Sequence, residues 1–180
     1  DLFRLNPRPG VRFGIIAYPP QGTPYLTREV KDLRWTPETS KEIEIKLDKV
    51  VLAEGTVIDA NTGKPLQGAS VQYYPAMTND RRLLDDIVSG WQSIQKTDSS
   101  GKFQIPVLPG PGTLLVYAAE KNYILQERDS EVLNIGKPGG ARMYAHAFQK
   151  INPAKEETLK PMKIELQPGA TVAGTLVDEQ

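Results

Sequence analysis

The stretch EGTVIDANTGKPLQGASVQYYP (residues 54–75) decides the fold of this chain, together with KTDSSGKFQIPVLPGPGTLLVYAAEKNY (residues 96–123). In both, short runs of alternating apolar and polar residues are separated by Gly, Asn, Asp and Pro. Successive side chains on a strand point to opposite faces, so this alternation is typical of half-buried antiparallel strands. The two stretches therefore predict an all-β module of the sandwich type.

Further strand-like runs lie on both sides. Upstream they are VRFGIIAYPP (residues 11–20) and KEIEIKL (residues 41–47), and downstream MKIEL (residues 162–166) and TVAGTLVD (residues 171–178). In KEIEIKL the aliphatic side chains alternate with Glu and Lys, which predicts a strand with one core face and one solvent face. MYAHAFQKI (residues 143–151) fits either a helix or a strand.

One segment inside the module, residues 78–90, breaks the β pattern. Asn79 can cap the start of a helix there, and Gly90 can end it in the left-handed conformation. The apolar residues of the segment recur at helical spacing: Leu83, Leu84, Ile87 and Val88. The pattern predicts a short helical insertion between two strands.

Composition excludes several classes of function. Lys plus Arg and Asp plus Glu are equal at 22 each in 180 residues, so the surface offers no broad attraction to nucleic acid or anionic membrane. No apolar run approaches the roughly 20 residues of a membrane helix, and the first residues lack the pattern of a signal peptide. We predict no nucleic-acid partner and no membrane span in this fragment. Without cysteine, burial must hold the fold together.

An internal repeat is the most informative feature of the sequence. KIEL followed by TVAGTLVD near the end is similar to IEIKLDKVVLAEGTVID in the middle. Gly174 corresponds to Gly55, and Ile164 corresponds to Ile45. Gly10 ahead of VRFGIIAY likewise corresponds to Gly112 ahead of TLLVYAAE. The copies differ mainly by an insertion near residues 127–140. Such self-similarity indicates an array of modules.

The phase of the repeat predicts the domain organisation. Residues 1–50 would be the C-terminal half of a preceding β-sandwich repeat, residues 51–168 a complete module, and residues 169–180 the first strand of a following repeat. The closing strand could also pair with the N-terminal half-module, within the chain or in a strand-exchange homo-oligomer, because open sheet edges accept added strands.

GTVIDANTGKPLQGASV followed by TDSSGKFQIPVLPGPGTLLVYAAEKNY resembles the carboxypeptidase regulatory-like domain, a transthyretin-like (prealbumin-type) Greek-key β-sandwich. The matching motifs are the Gly-hydrophobic-Val strand, the Gly-Pro-type turn, the Gly-Ala-Val strand, Thr-Asp-x-x-Gly-x-Phe and the Pro-Gly corner, at residues 55–59, 63–66, 68–71, 97–103 and 109–110. The helical insertion departs from the family pattern and leaves one sheet edge undefined.

The resemblance implies a non-catalytic module of a secreted, periplasmic or cell-envelope multidomain protein, without a cofactor. Such a module serves as a structural spacer or protein-interaction unit, and its partners would be neighbouring repeats, other surface proteins or glycans. The alternative is a carbohydrate- or peptide-binding accessory domain of an adjoining enzyme. Fold resemblance by itself does not choose between these roles.

Four residues are candidates for ligand contact: Trp35, Trp91, Tyr144 and His146. Exposed aromatic rings could stack on sugars, although such rings more often fill a sandwich core. His146 is the only histidine, so a histidine metal cluster is excluded, as is the set of converging histidines that transthyretin-like hydrolases need. We expect His146 to pack beside Tyr144 and Phe148, and we predict no catalytic site.

Two other kinds of site are weaker interpretations. DANTG (residues 59–63) and TDSSG (residues 97–101) resemble the start of a calcium loop, but the bidentate Glu that completes such a loop is missing, so turn chemistry explains them better. A related family of surface repeats forms intramolecular isopeptide bonds between a buried Lys and an Asn. The candidates for that bond are Lys46, Lys49 and Lys163 with Asn134 and Asn152.

Overall fold

The structure is a computed structural model that describes residues 3–6, 8, 10–34, 36, 42–76, 78–79, 94–128, 142–170 and 172–175. Within these residues the chain is all-β, with eleven strands and no helix. In chain order the strands are β1 (Arg12–Ala17), β2 (Arg28–Arg34), β3 (Val51–Asp59), β4 (Ser70–Pro75), β5 (Gln95–Lys96), β6 (Lys102–Val107), β7 (Gly112–Tyr117), β8 (Gln126–Arg128), β9 (Met143–Ala145), β10 (Ala147–Ile151) and β11 (Met162–Leu166).

Two sheets form a β-sandwich, which confirms the predicted fold class. One sheet has the strand order β10-β7-β4-β5 and the other β11-β3-β6. β11 runs parallel to β3, with Met162 opposite Gly55, whereas the other pairs in these sheets are antiparallel. Buried side chains from both sheets meet in one hydrophobic core.

The alternation in the sequence explains this core. On β3, every second residue from Val51 to Val57 is buried and the three residues between them are partly exposed. Ile58, next to Val57, is buried as well. On the facing sheet Val71 and Tyr73 of β4 fill the same space. Burying a Val, Leu, Ile or Phe side chain contributes roughly 1.5–3 kcal/mol, so the core is the main source of stability.

Gly55 allows a close approach between β3 and β11. A Cβ atom at this position would lie 2.5 Å from the carbonyl oxygen of Met162 and 2.7 Å from the Phe103 ring. Any side chain would push β11 or the ring away, because real Cβ atoms do not approach other atoms this closely. The glycine is therefore required where the parallel strand packs on β3.

The N-terminal part of the described chain is a two-stranded antiparallel hairpin of β1 and β2. Its register shifts between Phe13 and Ile15, and Asp32 has a positive φ of 55°, as at a bulge. The hairpin is tied to the sandwich by the connection between β1 and β2, in which Leu26 is only 3% exposed and belongs to the sandwich core. The hairpin and the sandwich therefore share part of one core.

A strand was predicted at residues 41–47. Its described residues, 42–47, are not in a strand, although their exposure still alternates as predicted. By the repeat this segment corresponds to β11, which gains its hydrogen bonds from β3 in parallel. Within the part of the chain that the structure describes, residues 42–48 have no such strand beside them. Residues 172–175, which belong to the last predicted strand, are likewise not in a strand.

Other predictions had mixed outcomes. The ambiguous segment at residues 143–151 is β9 and β10, separated by a bend at residue 146. The charged strand β2 was not predicted. The helical insertion at residues 78–90 lies outside the described residues except for its first two. Of these, Asn79 is buried, and its side-chain amide donates to the carbonyls of Pro109 (3.0 Å) and Pro111 (3.3 Å).

Candidate functional site

Two of the four candidate contact residues, Tyr144 and His146, lie within the described residues. Trp35 and Trp91 lie outside the described residues. Tyr144 on β9 is 48% exposed, whereas His146 is 8% exposed. Regular alternation would place Tyr144 and His146 on one face, but the bend at residue 146 separates β9 from β10 and turns the imidazole inward. Of the two described candidates, only Tyr144 is therefore available for contact with a ligand.

His146 is held by aromatic rings and by the backbone. The rings of Tyr117 and Tyr123 contact it edge-on, with centroids 6.4 and 6.1 Å away, in place of the predicted neighbours Tyr144 and Phe148. The Ala118 N–H donates to Nδ1 at 2.8 Å. This bond requires an unprotonated Nδ1, so the neutral ring carries its proton on Nε2.

The backbone of His146 is bonded as well. Its N–H donates to the carbonyl of Val116 at 2.9 Å, and its own carbonyl accepts from the Gln126 side-chain amide at 3.2 Å. Burial lowers the pKa of His146 below its ordinary value of 6.5. The contacts of this residue fix the bend between β9 and β10.

This environment leaves the imidazole without the features of a catalytic base. A general base needs a free lone pair within reach of a substrate proton. In His146 the lone pair on Nδ1 is used by Ala118, and Nε2 bears the proton. The ring is also almost fully covered. His146 is therefore suited to a packing role.

Tyr123 joins this cluster to the end of β3. Its hydroxyl donates to Asp59 Oδ2 at 3.0 Å, across 64 residues of sequence. Burial, together with the hydrogen bond to the Asp59 carboxylate, raises the pKa of Tyr123 to about 12. The phenol thus stays protonated over the physiological range and acts as a hydrogen-bond donor. Sequence reasoning missed this contact, since no local pattern marks a tyrosine for a distant turn.

The Asp59 carboxylate is occupied by its own turn. Oδ1 accepts from the backbone N–H groups of Asn61 (2.9 Å) and Thr62 (2.8 Å) and from the Thr62 hydroxyl (3.0 Å). The pKa of Asp59 is lowered, first by the backbone N–H of Thr62, because donors stabilise the ionised form. These bonds confirm the interpretation of DANTG as a turn.

TDSSG is organised in the same way. Asp98 Oδ1 accepts from the Ser100 N–H and hydroxyl, both at 2.8 Å, and from the Lys102 N–H at 2.9 Å. These donors, the Lys102 N–H first, lower the pKa of Asp98. Across the described ranges no group of three or more His, Asp or Glu side chains is placed to hold a metal ion. Both loops have the hydrogen bonding of turns.

None of the three lysines that are candidates for an isopeptide bond is buried. The side chains of Lys46 and Lys163 are 77% and 67% exposed, and Lys49 is also exposed. Asn152 is exposed, and Asn134 lies outside the described residues. Amide formation between side chains requires a desolvated lysine that can lose its proton. All three lysine side chains are instead exposed to water.

No family model matches the chain, and no curated protein matches it. Among solved structures it is similar to the shaft pilin spaA from Lactobacillus rhamnosus GG, with a TM-score of 0.42 and 13% identity over 71% of this chain and 50% of that chain. A mutant of that pilin gives a TM-score of 0.41 and 14% identity, over 89% of this chain and 63% of that chain.

A Streptococcal ancillary pilin gives a TM-score of 0.33 and 14% identity, over 81% of this chain and 38% of that chain. The chain thus spans half the length of the first of these structures. At these scores the similarity assigns no function. Separately, no helix among the described residues is long and apolar enough to cross a membrane.

Proposed function

We propose that this chain is a non-catalytic β-sandwich segment of a multidomain protein at the cell surface or in the periplasm, where it serves as a structural spacer or protein-interaction unit. The proposal rests on one observation: the histidine and the two aspartates considered as site residues are engaged in hydrogen bonds that hold the fold. The imidazole of the only histidine accepts a hydrogen bond from a backbone N–H, and one carboxylate oxygen of Asp59 and of Asp98 accepts hydrogen bonds from its own turn.

The proposed domain organisation follows the repeat. Residues 51–168 form the complete module, residues 1–50 the end of a preceding one, and residues 169–180 the start of a following one. The parallel β11 beside β3 supports this division, because the last strand of the module completes the sheet that its first strand begins. We also propose membership of the carboxypeptidase regulatory-like family, supported by the motif order along β3, β4, β6 and β7.

Surface exposure on intact cells tests the proposal. A membrane-impermeant amine reagent should modify Lys46 and Lys163, whose side chains are exposed, when it is added to whole cells that make the protein. Mass spectrometry of the peptides would report the modification, and a cytoplasmic protein of the same cells serves as the negative control. A periplasmic protein would be modified once the outer membrane is made permeable, whereas modification only after the cytoplasmic membrane is broken would overturn the location and the role that depends on it.

A further inference from the structure

Residues 24–26 lie antiparallel to residues 48–50 just before the sandwich begins. Tyr25 and Lys49 form an isolated β-bridge. Two backbone hydrogen bonds flank the bridge: Leu26 N–H to Asp48 O at 3.2 Å, and Val50 N–H to Pro24 O at 2.8 Å. We call this arrangement the entry junction. From it the chain runs directly into β3.

The same arrangement recurs where the chain leaves the sandwich. Residues 122–124 lie antiparallel to residues 167–169, and Tyr123 and Pro168 form the isolated bridge. The flanking hydrogen bonds again connect the same positions: Ile124 N–H to Gln167 O at 2.9 Å, and Gly169 N–H to Asn122 O at 2.7 Å. We call this the exit junction. From it the chain runs into residues 172–175.

The sequences of the two junctions agree with their geometry. PYLTREV (residues 24–30) and NYILQER (residues 122–128) both place a Tyr ahead of an aliphatic residue and a Glu at the sixth position. The register of the repeat, which aligns Ile45 with Ile164, also aligns residues 48–50 with residues 167–169. Leu26 and Thr27 therefore correspond to Ile124 and Leu125.

The corresponding side chains differ in exposure. At the entry junction Leu26 is 3% exposed and Thr27 6%, and Leu26 belongs to the core of the sandwich that follows it. At the exit junction Ile124 is 50% exposed and Leu125 57%. Ile124 and Leu125 are thus exposed to solvent, although Leu26, at the corresponding position of the preceding repeat, is buried in a core.

We propose that Ile124 and Leu125 are the docking residues for a following β-sandwich module, whose first strand is residues 171–178 and whose core they enter as Leu26 enters this one. The inference deepens the proposed function, on which it rests, by naming the interface between successive modules. The register of the repeat supports a following module as the partner. In this register Gly174 corresponds to Gly55, the glycine of β3 that packs against β11. Apolar burial would then join consecutive modules.

An extended chain tests this directly. Residues 1–178 are followed by a copy of residues 60–168, so that residues 171–178 serve as the first strand of a second module in the register of β3. The natural chain contains no cysteine. Ile124→Cys and, separately, Leu125→Cys therefore introduce a single thiol, whose rate of reaction with a disulfide reagent reports its access to solvent.

In the 180-residue chain both thiols should react at close to the rate of the unfolded protein. In the extended chain we expect the reaction to slow by at least about tenfold, since a thiol inside a packed interface reacts only when the interface opens. Leu26→Cys supplies the buried reference. Val11→Cys, at a position that is 48% exposed in the hairpin, supplies the exposed control and should not change.

The added module is a copy of the one whose core Leu26 enters, with Thr27 beside it. A second extended chain therefore carries Ile124→Leu with Leu125→Thr, which restores this pair. Amide exchange would report whether the added module is folded in each chain. Labelling at residue 124 that is equally fast with and without a folded added module would overturn the inference. So would an added module that stays unfolded with either pair of residues.

Light scattering separates the intended interface from one between copies. A protected thiol in a monomeric extended chain supports docking within the chain. Protection that appears only in a dimer would replace the inference with strand exchange between two molecules. Either negative result leaves the surface-labelling experiment untouched, so failure of the interface and failure of the proposed function are distinguishable.

Discussion

The first strands of the β1–β2 hairpin and of the β7–β10 pair, β1 and β7, occupy corresponding places in the repeat, yet their burial differs. Both pairs are antiparallel and both follow a corresponding glycine. β7 is buried along its length up to residue 116, whereas the residues of β1 are exposed or partly exposed. The difference lies in the layer opposite. β7 faces the sheet of β3, β6 and β11, while β1 and β2 form a two-stranded sheet. The alternating pattern thus specifies where strands form, but their side chains are buried only where a second sheet packs against them.

The largest effect should come from removing a core side chain. Leu114→Ala on β7 should lower the free energy of unfolding by about 2–5 kcal/mol, because Leu114 is fully buried and leaves a cavity. Ile16→Ala on β1 should cost about 1 kcal/mol, since Ile16 is only partly buried. Urea unfolding followed by tryptophan fluorescence measures both. Equal losses would contradict the contrast between the hairpin and the sandwich.

A second pair of variants compares corresponding glycines. Gly55→Ala should destabilise the protein by about 1–3 kcal/mol, because the new methyl group would overlap the Met162 carbonyl and the Phe103 ring. Gly174→Ala should have an effect within about 0.5 kcal/mol, because nothing lies within 4 Å of a Cβ built there. Thermal unfolding of both variants gives the comparison. A Gly55→Ala protein as stable as the natural chain would show that β11 does not pack as described.

The two junction tyrosines offer a smaller contrast. Tyr123→Phe should cost about 1 kcal/mol, because it removes the hydroxyl that donates to Asp59. Tyr25→Phe alters a residue that is 37% exposed and should change stability by less than about 0.5 kcal/mol. Denaturant midpoints measured in parallel would show the difference. If Tyr25→Phe were the more damaging change, the hydroxyl of Tyr123 would not anchor the turn.

The smallest effect should be the pH dependence that His146 confers on the sandwich alone, since the hairpin contains no histidine. The pKa of His146 is lowered in the folded protein, so the unfolded chain binds its proton first. The stability due to this residue is present above pH 6.5, the ordinary value, and is lost as the pH falls from there toward the folded pKa.

His146→Asn keeps an acceptor for the Ala118 N–H but does not titrate, so it should remove this part of the pH dependence. Asp59 and Asp98, whose pKa values are also lowered, act only as the pH approaches and passes below 3.8. Denaturation from pH 7.5 to 5 therefore isolates the histidine. A single imidazole NMR resonance titrating at or above 6.5 would contradict the described burial.

Much of the sandwich could be predicted from the sequence. Alternation predicted β3, β4, β6 and β11, because each has one face on a continuous core. It also predicted a strand at residues 41–47, whose described residues 42–47 are not in a strand, because a strand needs a hydrogen-bonding neighbour as well as a pattern. β2 was missed since REVKDLR carries charges on both faces, as a two-stranded sheet with little core permits.

The candidate site was less predictable for a different reason. The turn roles of Asp59 and Asp98 follow from local chemistry and were predicted. The placement of His146 depends on a bend at that residue, which changes the face reached by every later side chain. The contact of Tyr123 with Asp59 depends on packing between distant segments, for which the sequence carries no local signal.

The parallel alignment of β11 with β3 has a mechanical consequence. The chain enters the sandwich at Val51 and leaves it at Leu166, along neighbouring strands that point the same way, so the two attachment points lie toward opposite ends of the module. A pull on both would slide the strands past each other and load the hydrogen bonds of the ladder together instead of unzipping them in turn. A row of such modules would lengthen under tension only after whole ladders give way.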